Sequence, residues 1–102
     1  MIQAAMNVIL HAGDARIKAE EAIEAAKEKE FDKADALLIE AHDQIVEAHA
    51  TQTEIIQSEA AGEKHEINLL FIHAQDTLMT IMSELKMSRQ IIDLYKALEQ
   101  RS

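Results

Sequence analysis

The sequence has no proline, cysteine or tryptophan, and it has only two glycines, two phenylalanines and one tyrosine. Because proline and glycine most often end helices and form turns, their scarcity indicates a few long helices rather than strands. The absence of cysteine excludes a disulfide framework and thiolate chemistry on this chain, and it fits a reducing cytosol. A length of 102 residues predicts a single domain, residues 1–102.

Long apolar runs are also missing. None approaches the ~20 residues that a membrane helix needs, and no basic region followed by an apolar one opens the chain as in a signal peptide. The formal net charge of −9 repels phosphate backbones, so nucleic-acid binding is not expected. We therefore expect a cytoplasmic protein without direct membrane insertion, whose partners carry basic surfaces.

Apolar residues recur at helical spacing in three segments, which predict helices at about 2–28, 33–60 and 66–98. In the first helix the pattern consists of Ile2, Met6, Ile9, Gly13, Ile17, Ala19, Ala22, Ile23 and Ala26. In the second helix a heptad seam consists of Ala34, Leu38, Ala41, Ile45, Ala48, Gln52 and Ile55. A turn is expected between Glu28 and Asp32, with Phe31 packed at the corner and Glu30 or Asp32 as the helix cap. Gly62 is expected to end the second helix in a left-handed conformation. The sequence therefore predicts an all-α fold, a three-helix up-down bundle.

The third helix is apolar around most of its circumference. One heptad seam consists of Phe71, Ala74, Leu78, Ile81, Leu85, Ser88, Ile92 and Tyr95. Further apolar sides consist of Leu70, Ile72, Met79, Met87, Ile91, Leu94 and Leu98. Two neighbouring helices cannot cover such a surface, and an exposed apolar surface of this kind marks an interface. We expect self-association through the third helix as a parallel coiled-coil core, with a number of strands that the seam residues do not fix.

Polar residues cluster early in this helix, around His73. Asp76 and Thr77 lie one helical turn from His73, and Thr80 continues the same stripe. The pattern leaves three interpretations of His73 open: a structural histidine bonded to a carbonyl or to Asp76, a metal ligand, or a nucleophile that forms a covalent intermediate.

Asp76 lies among apolar residues that are expected to meet in the assembly. Carboxylates that converge in a poorly solvated core must bind protons or share a cation, and oxygen ligands suit Mg²⁺. A rim carboxylate in water is the alternative. A bundle metalloenzyme is not favoured, because the chain lacks paired Glu-x-x-His motifs.

Three stretches and the second turn resemble one family. They are Ala12-Gly13-Asp14-Ala15-Arg16, Glu47-Ala48-His49 with Gln52-Thr53, Ala60-x-Gly62-Glu63, and His73-Ala74-Gln75-Asp76-x-Leu78-Met79-Thr80 with Glu84 and Leu94-Tyr95-Lys96. This set is similar, over essentially the whole chain, to the lactose/cellobiose/chitobiose class of enzyme IIA in the bacterial phosphoenolpyruvate-dependent sugar phosphotransferase system.

The resemblance implies a homotrimer of nine helices. It implies that His73 accepts a phosphoryl group from HPr on Nε2 and passes it to a cysteine of the IIB component. The membrane component IIC then delivers a phosphorylated disaccharide to the cytoplasm. The resemblance also implies that Asp76 and its two symmetry mates share a metal, Mg²⁺, near the trimer axis. Gln75, Thr77 and Thr80 are candidates to bond the phosphoryl oxygens.

The chain departs from the family pattern at two points. Many relatives carry a second histidine where this chain has Thr77, so no general base is required there. Many carry Gly-Asp-Phe where this chain has Lys29-Glu30-Phe31, which alters a helix cap. A different class of function, a non-catalytic helical oligomer or adaptor, remains the alternative from the sequence.

Overall fold

The computed structural model describes residues 2–62 and 69–101, which form three α-helices: α1 (Ile2–Lys27), α2 (Phe31–Ala60) and α3 (Leu69–Arg101). The helices run up, down and up in a rod of 58 × 19 × 18 Å. The described residues contain no strand, so the predicted all-α three-helix bundle is confirmed. Within those same ranges, the structure has no helix with the length and apolarity that crossing a membrane requires.

The helix ends differ from the expected bounds by a few residues. Helix α2 begins at Phe31, two residues early, because the Phe31 ring packs against the buried cluster at this end of the bundle. Helix α3 runs to Arg101, three residues beyond the expected end. Its expected start at 66–68 lies outside the described residues, as do Glu63 and His65 of the second turn.

The turn between α1 and α2 uses a Schellman motif. The Glu30 N–H bonds the Ala25 carbonyl at 2.9 Å, and the Lys29 N–H bonds the Ala26 carbonyl at 3.0 Å. Lys29 occupies the left-handed position with φ 63°, where glycine is favoured. Glu30 is the N-cap residue of α2, but its side chain makes no capping hydrogen bond. At the other end of α2, Gly62 has φ 98°, as expected.

The bundle core has small residues from α1 and larger ones from α2 and α3. Of the residues that α1 buries, all but Val8 are alanines. Three larger apolar residues of α1 point elsewhere, since Ile2, Met6 and Ile17 are 64%, 42% and 54% exposed. The expected seams of α2 and α3 do face the core, where Leu78, Ile81 and Ile92 are fully buried. Alanine at the contacts lets α1 approach both neighbours closely.

Ion pairs fix the heights of the helices relative to one another. The Arg16 guanidinium of α1 donates two hydrogen bonds to the Glu84 carboxylate of α3, at 2.8 and 2.9 Å. This bond to Glu84 raises the pKa of Arg16. Lys18 of α1 lies 3.8 Å from the Glu40 carboxylate of α2. Because α1 and α3 are parallel, the first pair places residue 5 of α1 at the height of residue 73 of α3.

A second ionic cluster joins the start of α2 to the end of α3. Lys96 Nζ donates to both oxygens of Asp35 at 2.8 and 2.9 Å, and Arg89 donates to one of them at 3.1 Å. The hydrogen bond from Lys96, with that from Arg89, lowers the pKa of Asp35, although burial opposes it.

We expect Asp35→Asn to lower the free energy of unfolding at pH 7 by about 0.5–1 kcal/mol, since the cluster is partly solvated. The folded-state pKa of Asp35 is depressed, so its contribution is present above the unfolded value near 3.8 and is lost as pH falls through the lowered pKa. Urea titrations from pH 7 to pH 2 should therefore show the difference between wild type and variant vanish at the acidic end. Asp32→Asn, on the exposed side of the same helix, is the control. An equal difference at pH 2 would contradict this account.

Candidate functional site

His73 lies near the N-terminus of α3, and its side chain is exposed. Within the described residues its imidazole makes no hydrogen bond or ion pair, and none joins it to Asp76. The structural-histidine interpretation requires such a bond, so this part of the chain gives it no support. The side chain is carried by helix α3, on an exposed position that a partner molecule can reach.

Helix geometry decides which predicted residues share a face with His73. Thr77 and Thr80 lie one and two turns along the same stripe, half-buried and exposed respectively. Asp76 is exposed on the side of that stripe nearer the apolar face of α3. Gln75 is two residues from His73, hence on nearly the opposite side of the helix, where it is half-buried. One chain therefore brings Thr77 and Thr80 to the imidazole but not Gln75.

Helix α1 supplies the other wall of the site. The Arg16–Glu84 pair sets the first turns of α1 beside the His73 turn, and it closes the lower end of the threonine stripe. At the upper end Met6 is 42% and Leu10 63% exposed. The imidazole thus stands at the edge of a shallow, partly apolar surface that a partner can cover.

The described part of one chain does not by itself form a metal site. Over residues 2–62 and 69–101, no group of three or more His, Asp or Glu side chains is placed to hold a metal ion. Asp76 nevertheless lies between Ile72 and Met79, which are 45% and 62% exposed. A carboxylate in such a surface is suited to a site to which several copies each contribute one oxygen ligand.

Residues 3–96 match the family model "PTS system, Lactose/Cellobiose specific IIA subunit". The lichenan-specific phosphotransferase enzyme IIA component of Bacillus subtilis is 47% identical over 102 residues, which cover 99% of this chain and 93% of that protein. The chain belongs to the lactose/cellobiose-specific IIA family. It is a sugar-specific phosphotransferase-system component, and the resemblance stated from the sequence is confirmed.

Solved structures of IIA proteins share the fold. The cellobiose-specific enzyme IIA from Bacillus anthracis superposes with a TM-score of 0.93 at 46% identity, covering 98% of this chain and 92% of that one. The chitobiose IIA of Escherichia coli, solved in complex with HPr, gives a TM-score of 0.84 at 32% identity, covering 95% of this chain and 94% of that one.

Other histidines of this IIA chain have intramolecular partners. The His11 Nδ1 donates to the Gln44 amide oxygen at 2.6 Å across the α1–α2 interface. The His49 ring lies 3.4 Å from the Thr53 hydroxyl, one turn along α2. These contacts distinguish both residues from His73.

Gln52 is a feature that sequence reasoning did not interpret. Its amide oxygen is buried and has no hydrogen-bond partner among the described residues. It occupies a position of the α2 heptad seam at the end of the bundle that carries His73, level with the Asn7–Thr51 bond. The available signal was a polar residue in an otherwise apolar seam. An unpaired buried carbonyl destabilises the fold by about 1–3 kcal/mol.

We expect Gln52→Leu to raise the free energy of unfolding by about 1 kcal/mol, because it removes the unpaired oxygen and keeps apolar volume. The melting temperature should then rise by about 4–8 °C at fixed protein concentration. Gln57→Leu, at an exposed position of the same helix, should leave it nearly unchanged. A lower melting temperature for Gln52→Leu would mean that the amide is paired in the assembled protein.

Proposed function

We propose that this chain is the cytoplasmic phosphocarrier that accepts a phosphoryl group from HPr on Nε2 of His73 and passes it to a cysteine of the IIB component. The membrane component IIC then takes up and phosphorylates a β-linked disaccharide of the lactose, cellobiose or chitobiose type. The exposed, unpaired imidazole on a rigid helix is the observation that carries the proposal. The solved complex of a chitobiose IIA relative with HPr supports the choice of donor.

Phosphoryl transfer depends mainly on how the donor, the phosphoryl group and the acceptor are positioned. As the bond from phosphorus to the HPr donor breaks, the Nε2 lone pair of neutral His73 forms the new N–P bond. In the second transfer this N–P bond breaks, its electron pair returns to Nε2, and the IIB thiolate forms the new bond to phosphorus. The transition state is loose and spreads its charge over three phosphoryl oxygens. Thr77 and Thr80 lie on the His73 face as hydroxyl donors to those oxygens. Gln75 can take part only from a different direction, as a residue of a neighbouring copy.

The negative charge of the chain fits the proposed phosphocarrier role. The chain carries −9 and gains negative charge on phosphorylation. In the described residues no lysine or arginine is paired with Asp76 or lies on the His73 stripe before Glu84. We therefore expect HPr and IIB to bring positive donors for the phosphoryl group, while Met6 and Leu10 supply apolar contact.

We also propose that the protein is a homotrimer with a parallel α3 core and one Mg²⁺ held by the three Asp76 carboxylates. The exposed face of α3 supports this arrangement, because Met79, Met87 and Leu94 are 62%, 59% and 60% exposed. Such a surface on one helix requires a partner. The ion would neutralise carboxylates that otherwise repel one another near the axis.

We expect His73→Ala to abolish phosphate incorporation while the helical content and assembly stay unchanged, since the side chain is exposed. The measurement is incubation with phosphoenolpyruvate, enzyme I and HPr, followed by intact mass before and after acid treatment. Wild type should gain one acid-labile phosphate, and so should the control His49→Ala. Incorporation into His73→Ala would place the acceptor elsewhere, and none into wild type would favour the adaptor function.

We expect Asp76→Leu to keep or strengthen the trimer, because apolar volume replaces three clustered charges. Wild type should dissociate more readily when EDTA removes Mg²⁺, and the variant should not respond. Light scattering coupled to gel filtration, with and without EDTA, measures both. If Asp76→Leu is monomeric, the ion is essential for assembly, and the three carboxylates do not destabilise the trimer. Asp93→Leu, which removes an exposed carboxylate of α3 that pairs with Arg89 at 3.5 Å, is the control.

A further inference from the structure

Helices α2 and α3 leave a groove of about 610 Å³ between them. Its floor is apolar and includes Leu38, Ile45, Met82 and Leu85. The groove is distinct from the His73 surface, since its α3 lining begins nine residues, or about 13 Å, further along the helix. Lys86 stands at its rim and makes no ion pair within residues 2–62 and 69–101.

The same molecule carries an apolar stripe with nothing packed on it. Met6, Leu10, Gly13 and Ile17 follow one another at spacings of three and four on the outer side of α1. Ile17 is 54% exposed. At Gly13 an added Cβ would meet no atom within 4 Å, so nothing in the chain itself accounts for a glycine in mid-helix.

The heights of the two surfaces match. The Arg16–Glu84 and Lys18–Glu40 pairs place Ile17 level with Leu85 of α3 and with the middle of the groove on α2. Copies related by rotation about an axis along α3 stand at equal heights. In any such assembly, the groove of one copy is therefore level with Ile17 of the next.

Charge fits the same arrangement. Glu20 and Glu21 follow Ile17 on α1 and are exposed, within about 6 Å along the helix axis. Lys86 lies at the corresponding height on α3. A lysine beside the groove and two carboxylates beside the protruding isoleucine are complementary between copies.

We propose that Ile17 of one copy docks in the α2/α3 groove of the next, with Glu20 and Glu21 facing Lys86. This inference rests on the trimer proposed above. The contact joins two different surfaces, so it is heterologous and closes a ring. It covers the lower half of the seam between copies. The His73 turn lies about 18 Å higher, level with residue 5, and stays open to HPr and IIB.

Disulfide trapping tests the contact, because the chain has no cysteine of its own. Ile17→Cys/Ile39→Cys combines the protruding position with an exposed position at the groove. Mild oxidation should convert most of it to covalent dimers and trimers on a non-reducing gel, whereas each single variant stays uncrosslinked. Ile17→Cys/Ala36→Cys, with the second cysteine on an exposed site outside the groove, is the matched control.

Three outcomes of that experiment would overturn the proposal. The first is dimers from Ile17→Cys alone, which would indicate a head-to-head contact. The second is a disulfide within one chain, and the third is equal cross-linking in the control. Phosphate uptake from HPr is measured on the same samples. If the protein is trimeric and takes up phosphate but does not cross-link, only the proposed contact is wrong. If wild type is monomeric, the trimer proposal is wrong as well.

Charge reversal gives an independent test. Lys86→Glu should weaken assembly at least about tenfold in dissociation constant, because like charges then face each other at every interface. Glu20→Lys/Glu21→Lys added to the same chain should restore it. Sedimentation equilibrium measures both. Unchanged assembly of Lys86→Glu, or no recovery in the triple variant, would contradict the pairing of these residues.

Discussion

The alanine seam of α1 is the constraint on which the rest of the structure depends. Ala5, Ala12 and Ala15 are completely buried, so α2 and α3 approach α1 closely, and the large side chains of the core come mainly from α2 and α3. Large apolar residues of α1, such as Leu10 and Ile17, lie on the outside of the bundle. A single copy cannot bury them, and the free energy of burying apolar surface favours assembly of several copies.

The position of His73, the proposed phosphoryl acceptor, follows from that packing. The buried residues of the first turns of α3 are Phe71, Ala74 and Leu78, which define its inward face. His73 lies outside this face, one helical turn from Asp76, so its imidazole is exposed while the carboxylate lies nearer the apolar surface. The Arg16–Glu84 pair then holds α1 beside it. Because the ring is carried by a helix and not by a loop, two partners in succession meet it in one geometry.

Much of this architecture could be predicted from the sequence. Heptad spacing correctly predicted the buried seams of α2 and α3. The preference of glycine for positive φ correctly predicted the conformation of Gly62. The inward face of α1 was predicted correctly only in its second half, where Ala19, Ala22 and Ala26 are buried. Periodicity favours large residues, so it selected Ile2, Met6 and Ile17, but close helix contacts here require alanine. Nor could the pattern show that Lys29 adopts a positive φ, since the Schellman bonds of the turn impose that conformation against its side-chain preference.

For the candidate site, spacing in the sequence predicted which residues share a face of one helix, but it did not predict the contacts between helices. The i+4 rule placed Thr77 beside His73, but the same rule excludes Gln75 from that face within one chain. The role of Gln75 therefore depends on how copies meet, which neither residue type nor periodicity specifies. Two copies can meet through one self-complementary face about a two-fold axis. A closed ring of three copies with a parallel α3 core instead requires unlike surfaces to meet, and the stripe on α1 and the groove beside α3 are unlike in both shape and charge.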